Sequence, residues 1–137
     1  MYDGQWENGM KEGQGQLITK MEKYSGGWHK DQYHRFGVLV LHDGSVYEGD
    51  WSLGKKWGMG QEKLPNGGIY IGEFKNEKYH GKGQITYGGE YEGHQRAIYS
   101  GEFKEGKKTG QGLLILIDDD IQTDVEGEWV NDQVNSE

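Results

Sequence analysis

The chain has no cysteine and a single proline, Pro65, in 137 residues. Without cysteine there is no disulfide framework, no thiolate metal site and no cysteine nucleophile, and a reducing compartment suits the composition. No apolar run approaches the roughly 18 residues of a membrane span. The longest, Leu113 to Ile117, is strand length. Residues 1–15 carry no signal-peptide core, so the expectation is a soluble, cytoplasmic chain. Positive charge is scarce too. With 15 basic side chains against 23 acidic ones the net charge is -8, which argues against nucleic acid as a partner.

What the chain has instead is glycine, 25 residues of it, in register with 9 Tyr, 5 Trp and 3 Phe. Tyr2, Gly4, Trp6, Gly9, Gly13 and Gly15 form a Y-x-G-x-W-x2-G-x3-G-x-G pattern that returns about every 23 residues. Further copies open at Tyr24, Tyr47, Tyr70 and Tyr99, and Val125-Gly127-Trp129 begins a sixth, half copy. Such a period marks a repeat architecture in which short units stack on their neighbours. One repeat domain over residues 2–134 follows. Repeats of this kind build surfaces rather than catalytic pockets.

Within Tyr47-Glu48-Gly49-Asp50-Trp51 the Tyr, Gly and Trp are two residues apart. In a strand they share one face and the two acids share the other. A helix would scatter them, and each interior glycine would weaken it by about 1 kcal/mol. The turn dipeptides Asn8-Gly9, Asp43-Gly44 and Asn66-Gly67 favour tight hairpins. The spacing predicts an all-β, elongated, single-layer antiparallel meander. Its strands lie near 2–6, 13–19, 24–28, 36–41, 47–51, 58–64, 70–74, 82–87, 99–103, 111–117 and 125–130. Leu17, Leu39, Ile85 and Leu114 add aliphatic cover to the aromatic face; Glu62 takes that place in copy three, with Leu64 as its substitute. Asp3, Glu48, Asp50, Glu73, Glu102, Glu126 and Glu128 predict an acidic, solvated reverse face.

These residues resemble the MORN repeat, whose pattern runs close to YxGxWxxGxxxGxG with Asp-Gly or Asn-Gly before the next Tyr. The likeness covers residues 2 to about 130, five copies in phase. Departures are local: Asp31, Arg35 and Glu77 replace glycines, and Phe74 and Phe103 replace Trp. The period lengthens to 29 around Tyr91 and to 26 around Asp118-Asp119-Asp120, where extra residues should emerge as loops. The resemblance implies a twisted sheet with a grooved aromatic face and a non-catalytic scaffold in a larger cytoskeletal or ciliary, axonemal assembly.

The candidate sites follow from the two kinds of surface. The aromatics Tyr24, Trp28, Tyr47, Trp51, Tyr70, Phe74, Tyr99 and Phe103 are read as mostly core, with one side left uncovered by the single layer. That partly exposed row is also read as a groove for an amphipathic helix of a protein partner. Lys55, Lys56, Lys78, Lys82, Lys107 and Lys108, with Arg96, cluster near hairpin turns and offer a basic edge for anionic lipid. The rival function is thus a phosphoinositide or membrane-surface adaptor, and a third is a regulatory subunit of an enzyme complex. The net charge of -8 favours a plainer role for these basic residues, keeping the sheet edges soluble and the glycine-rich strands from pairing wrongly. The chain opens on a repeat at Tyr2 and stops after half a copy near Val134, so the expectation is either that neighbouring chains cover the terminal strands or that the chain is part of a larger assembly. No Gly-x-Gly pair follows a strand and opens a helix, the five histidines lack metal-ligand spacing, and no catalytic constellation stands out. No enzyme activity, cofactor or metal is expected; Asp118-Asp119-Asp120 lacks the spacing of a calcium loop.

Overall fold

The structure, a computed structural model, describes residues 1–135. The chain forms one antiparallel sheet of twelve strands in chain order. They are β1 (Tyr2–Glu7), β2 (Met10–Ile18), β3 (Glu22–His29), β4 (Gln32–Leu41), β5 (Val46–Ser52), β6 (Lys55–Lys63), β7 (Ile69–Lys75), β8 (Lys78–Thr86), β9 (Arg96–Lys104), β10 (Lys107–Asp118), β11 (Ile121–Val130) and β12 (Gln133–Asn135). No helix occurs among the described residues. The predicted meander of hairpins is the observed fold.

The second strand of each copy starts about three residues earlier than expected, at Lys55 for β6 rather than near 58. The turn inside each copy is only two residues long and both residues have positive φ, as in Asn8 (53°) and Gly9 (77°). That is the type I′ hairpin geometry, whose twist matches the strands it joins. Lys30-Asp31, Leu53-Gly54, Asn76-Glu77, Glu105-Gly106 and Asn131-Asp132 adopt it as well. Even after Asn8-Gly9 the expected start is three residues late, because the bulge that follows each turn breaks the period-2 alternation on which the spacing relies.

The residues just after the turn are not loop but bulge. Gly49 pairs with Gly60 while Trp51 pairs with Lys56, so Asp50 alone faces the three residues between on β6. Gly58, at φ 94°, turns the extra backbone back into register. Gly13, Gly81 and Gly110 repeat this, and in copy two Arg35 does so at φ 63°.

Eleven further glycines form a single file across the sheet. Gly4, Gly15, Gly26, Gly37, Gly49, Gly60, Gly72, Gly83, Gly101, Gly112 and Gly127 are each the paired neighbour of the next. Those on the second strand of a copy lie under the tyrosine ring of that copy, Gly60 under Tyr47 for instance. Those on the first strand are squeezed by backbone: a Cβ on Gly49 would stand 2.5 Å from the Gly60 Cα and 2.6 Å from the Met59 carbonyl oxygen. Aromatic rings and bare backbone are thus one device, and it replaces the missing second layer.

The two long spacers behave differently. Residues 88–95 leave the sheet as a loop closed by a Tyr91–His94 bridge, as expected of an insertion. The extra residues before copy six form no loop. They lengthen the β10–β11 hairpin until Asp118 pairs with Ile121 across the two-residue turn Asp119-Asp120.

Replacing Gly49 with Val should destabilise the chain by a few kcal/mol, because neither Gly60 nor Met59 backbone can yield without breaking register. Glu48→Val on the reverse face should change stability by no more than about 0.5 kcal/mol. Equal melting shifts for the two variants would contradict the assignment of faces.

Candidate interaction surface

The aromatic face is an unbroken zigzag of rings. Tyr47 meets Trp51 of its own copy edge-on at 4.9 Å between centroids and Phe74 of the next copy at 5.1 Å. The same pair of contacts surrounds Tyr2, Tyr24, Tyr70 and Tyr99, so the ladder runs from Trp6 to Trp129. Edge-to-face pairs of this kind contribute about 0.5–1.5 kcal/mol each beyond their buried area. Each tyrosine hydroxyl also donates to the carbonyl oxygen of the bulge residue three positions on: Tyr47 to Asp50 at 2.6 Å and Tyr70 to Glu73 at 2.7 Å. The indole nitrogens of Trp28, Trp51 and Trp129 donate to the carbonyl oxygens of Gly15, Gly37 and Gly112. Phe74 and Phe103 keep the ring contact and lack that donor.

The row is present as predicted, but it is not open. Tyr24, Trp28, Tyr47, Trp51, Tyr70, Phe74, Tyr99 and Phe103 are all at most 4 % exposed, so they form the core and not a partly exposed groove. What covers them is a repeated position two residues after each hairpin turn. Tyr33 and Tyr79 lie flat on Tyr24 and Tyr70 at 3.8 Å, while Lys11, Lys56 and Lys108 place their ammonium groups over the rings beside them.

The covering residue is coupled to the turn of the following copy. The lysines at 11, 56 and 108 come with Asp31, Glu77 and Asp132, whose carboxylates accept the lysines' backbone N–H groups. Tyr33 and Tyr79 come with Gly54 and Gly106, which reach the tyrosine carbonyl through backbone alone. Asp31 and Glu77, which looked like isolated losses of glycine, are therefore one half of an alternating pair.

This rearranges the expected basic edge. Lys108 is only 5 % exposed, caged by Tyr87, Tyr91, Tyr99 and Trp129 at 5.5–5.7 Å. Burial pushes its ammonium pKa down, but the hydrogen bond and proximity to Tyr87, then Tyr91 and Asp132, outweigh that, and the net direction is up. Lys108 is charged and committed. Lys56 is bound to Glu62 at 2.6 Å, the same carboxylate that accepts the Tyr79 hydroxyl at 2.8 Å. Glu62 thereby fills the apolar slot of copy three itself, and Leu64 is partly buried against the aromatic core. Lys78 pairs loosely with Glu105 at 3.5 Å, Lys82 stands across from Glu102, and Lys55 and Lys107 are exposed.

The reverse face is less uniformly acidic and less idle than expected. Glu73 and Glu102 each turn one carboxylate oxygen back to the strand, accepting Lys82 N–H at 2.6 Å and Gln111 N–H at 2.8 Å. Gln5 does the same for Gln14 at 2.7 Å. These side chains fill the gap opened by the bulge. In copy two the roles are exchanged, with Gly27 in the acid's place and Arg35 in the glycine's; a Cβ on Gly27 would strike the His34 carbonyl. Between the bulge row and the next row a shallow trench runs across the strands. One stretch of about 410 Å³ is lined by Phe36, Glu48, Asp50, Met59, Gln61 and Ile71. A second of about 640 Å³ shares Met59 and Ile71 and continues past Gln84 and Glu102. Phe36, Met59 and Ile71 are 54 %, 56 % and 51 % exposed, the large apolar side chains that no part of the sheet covers here.

The MORN repeat family model matches residues 2–20, 24–46, 47–69, 70–89 and 99–121. The chain belongs to the MORN repeat family. A search of curated proteins found no match. MORN repeats generally serve protein or membrane interaction and are generally non-catalytic. In this MORN protein each glycine of the pattern has its own task, as ring seat, hairpin turn or bulge. The half copy from Val125 lies beyond the matched residues, yet Trp129 closes the ladder against Tyr99 at 5.3 Å. The trench on the reverse face was missed by sequence reasoning. Its signal was there, since Phe36, Met59 and Ile71 sit at positions where the other copies carry polar residues or none.

Burial raises the pKa of Tyr24, Tyr33, Tyr47, Tyr70 and Tyr79 above the ordinary value and pushes Tyr99 up to about 12. Stability from these groups is fully present below pH ~10, where unfolded tyrosine ionises. It is lost as pH rises through the folded values. Alkaline titration should therefore show the tyrosinate absorbance of the core rising together with loss of strand circular dichroism, above pH ~10. Core tyrosines that ionise near pH ~10 in an intact sheet would contradict the assignment.

Proposed function

We propose that this chain is a non-catalytic scaffold that binds a helical segment of a protein partner in the trench of its reverse face. The observation that carries this reading is that exposed Phe36 and Met59 on one wall and exposed Ile71 on the other line a single recess with a glycine floor. An apolar recess rimmed by polar groups is a usual form of protein-binding site. From Tyr24 to Phe103 the aromatic face is closed over by its covering lysines and tyrosines, and Trp6 on the first strand is the exposed ring of the ladder. The setting we propose, a cytoskeletal or ciliary assembly in the cytoplasm, rests on family resemblance alone. The membrane reading loses Lys56 and Lys108, which are engaged in the core, and it works against a net charge of -8.

A photo-crosslinking residue at Gln61, in the trench, is compared with one at Glu105, at a hairpin turn, in the full chain in native extract. Protein adducts should form from position 61 and be absent or far weaker from position 105. Adducts confined to position 105, or dominated by lipid, would move the site to the edge.

A further inference from the structure

We infer that the partner segment taken by this trench is a basic amphipathic helix with Lys or Arg at seven-residue spacing beside an apolar stripe. The inference rests on the scaffold reading above and adds the chemistry of the partner. The row that walls the trench at Asp50 and Glu102 carries an acid on every second strand, Asp50 on β5, Glu73 on β7 and Glu102 on β9, and Glu128 on β11 continues that row beyond the lined stretches. With strands ~4.8 Å apart, successive acids are about 9.6 Å apart along the trench. A helix lying across the strands rises about 10.5 Å in seven residues, so one face of it keeps step with the acids over several strands.

The carboxylates are also held in place. Glu73 and Glu102 each use one oxygen on a backbone N–H of the neighbouring strand, at 2.6 and 2.8 Å, which fixes the side chain and leaves the other oxygen for a partner. Acceptors fixed before binding lose little freedom when a guanidinium arrives. Glu48 adds a further acid on the opposite wall, and Lys82 is the one cation lining either stretch of the trench. Met59 and Ile71 stand on adjacent strands and Phe36 two strands from Met59. Phe36 and Met59 stand in the row of the acids and Ile71 in the facing row with Glu48, and from Ile71 to Phe36 they span about 14.4 Å across the strands, which suits apolar residues at i, i+3 and i+10 of the same helix.

The test uses the full chain and three fluorescent helical peptides with the same leucine stripe. One carries Arg every seventh residue, one the same number of Arg at every fifth, and one Gln in place of Arg. At physiological salt the seven-spaced peptide should bind at least about 10-fold more tightly than the other two. Glu73→Gln with Glu102→Gln keeps an oxygen for each backbone N–H, so the fold should persist while that preference shrinks several-fold. Met59→Asn with Ile71→Asn should weaken all three peptides alike. If the Gln peptide binds as tightly as the seven-spaced one and responds to Met59→Asn, the trench binds helices and the basic partner is wrong. Equal affinity for both Arg spacings means general attraction to an acidic chain, and it overturns the inference. If no peptide responds to Met59→Asn with Ile71→Asn, the trench reading fails with it.

Discussion

The contact on which everything else depends is a tyrosine ring held roughly perpendicular to two neighbouring Trp or Phe rings above a bare glycine. A single sheet has no opposite layer to bury an apolar face against, and most sheets solve this with helices or a second sheet. Here the rings bury one another along the sheet, each tyrosine touching its own Trp or Phe and the one that follows. The geometry works only if the backbone beneath the tyrosine carries no Cβ, and the glycine file supplies that on every strand from β1 to β11. The hydroxyl then reaches past the glycine to the bulge carbonyl, so turn, bulge and ring are locked to one another. A change in any of them is felt by all three.

This coupling explains substitutions that seem careless in isolation. Arg35 in a left-handed conformation is an uncommon placement, and it occurs where Gly27 has removed the side chain that would otherwise fill the bulge. Asp31, Glu77 and Asp132 replace turn glycines where a lysine precedes them by 20 to 24 positions and needs its N–H accepted. The working unit is thus two copies long, one covered by lysine and one by tyrosine. The 29-residue spacer obeys the same rule, since Tyr87 and Tyr91 from it complete the cage around Lys108 while Tyr70 still reaches Phe103 at 5.4 Å.

Fold, strand order and the division of faces were legible from the period alone, because alternation in a strand leaves Tyr, Gly and Trp no choice of side. Exposure was not. Whether Trp51 is open or covered depends on where Tyr33 and Lys56 bend, and both lie across strand boundaries that sequence spacing does not define. Lys108 shows the same limit: as a residue in a Lys-Lys pair at a turn it reads as surface, and only the loop from 88 to 95 makes it core. The reverse face was legible as acidic but not as a trench, since Met59 and Ile71 become neighbours only through the β6–β7 register. Interaction therefore shifts from the face that defines the repeat to the face that varies between copies.

The most direct measurement of the central claim is a double-mutant cycle on Tyr70 and Phe103, the two rings that carry the ladder across the irregular spacer. Stability of the wild type, Tyr70→Leu, Phe103→Leu and the double variant gives the coupling, with Tyr47 and Phe103 as a pair that does not touch. A continuous ladder predicts coupling of about 0.5–1.5 kcal/mol for Tyr70 with Phe103 and close to zero for Tyr47 with Phe103. Coupling within error of zero for both pairs would mean that the copies are held by backbone pairing alone, and would contradict the account.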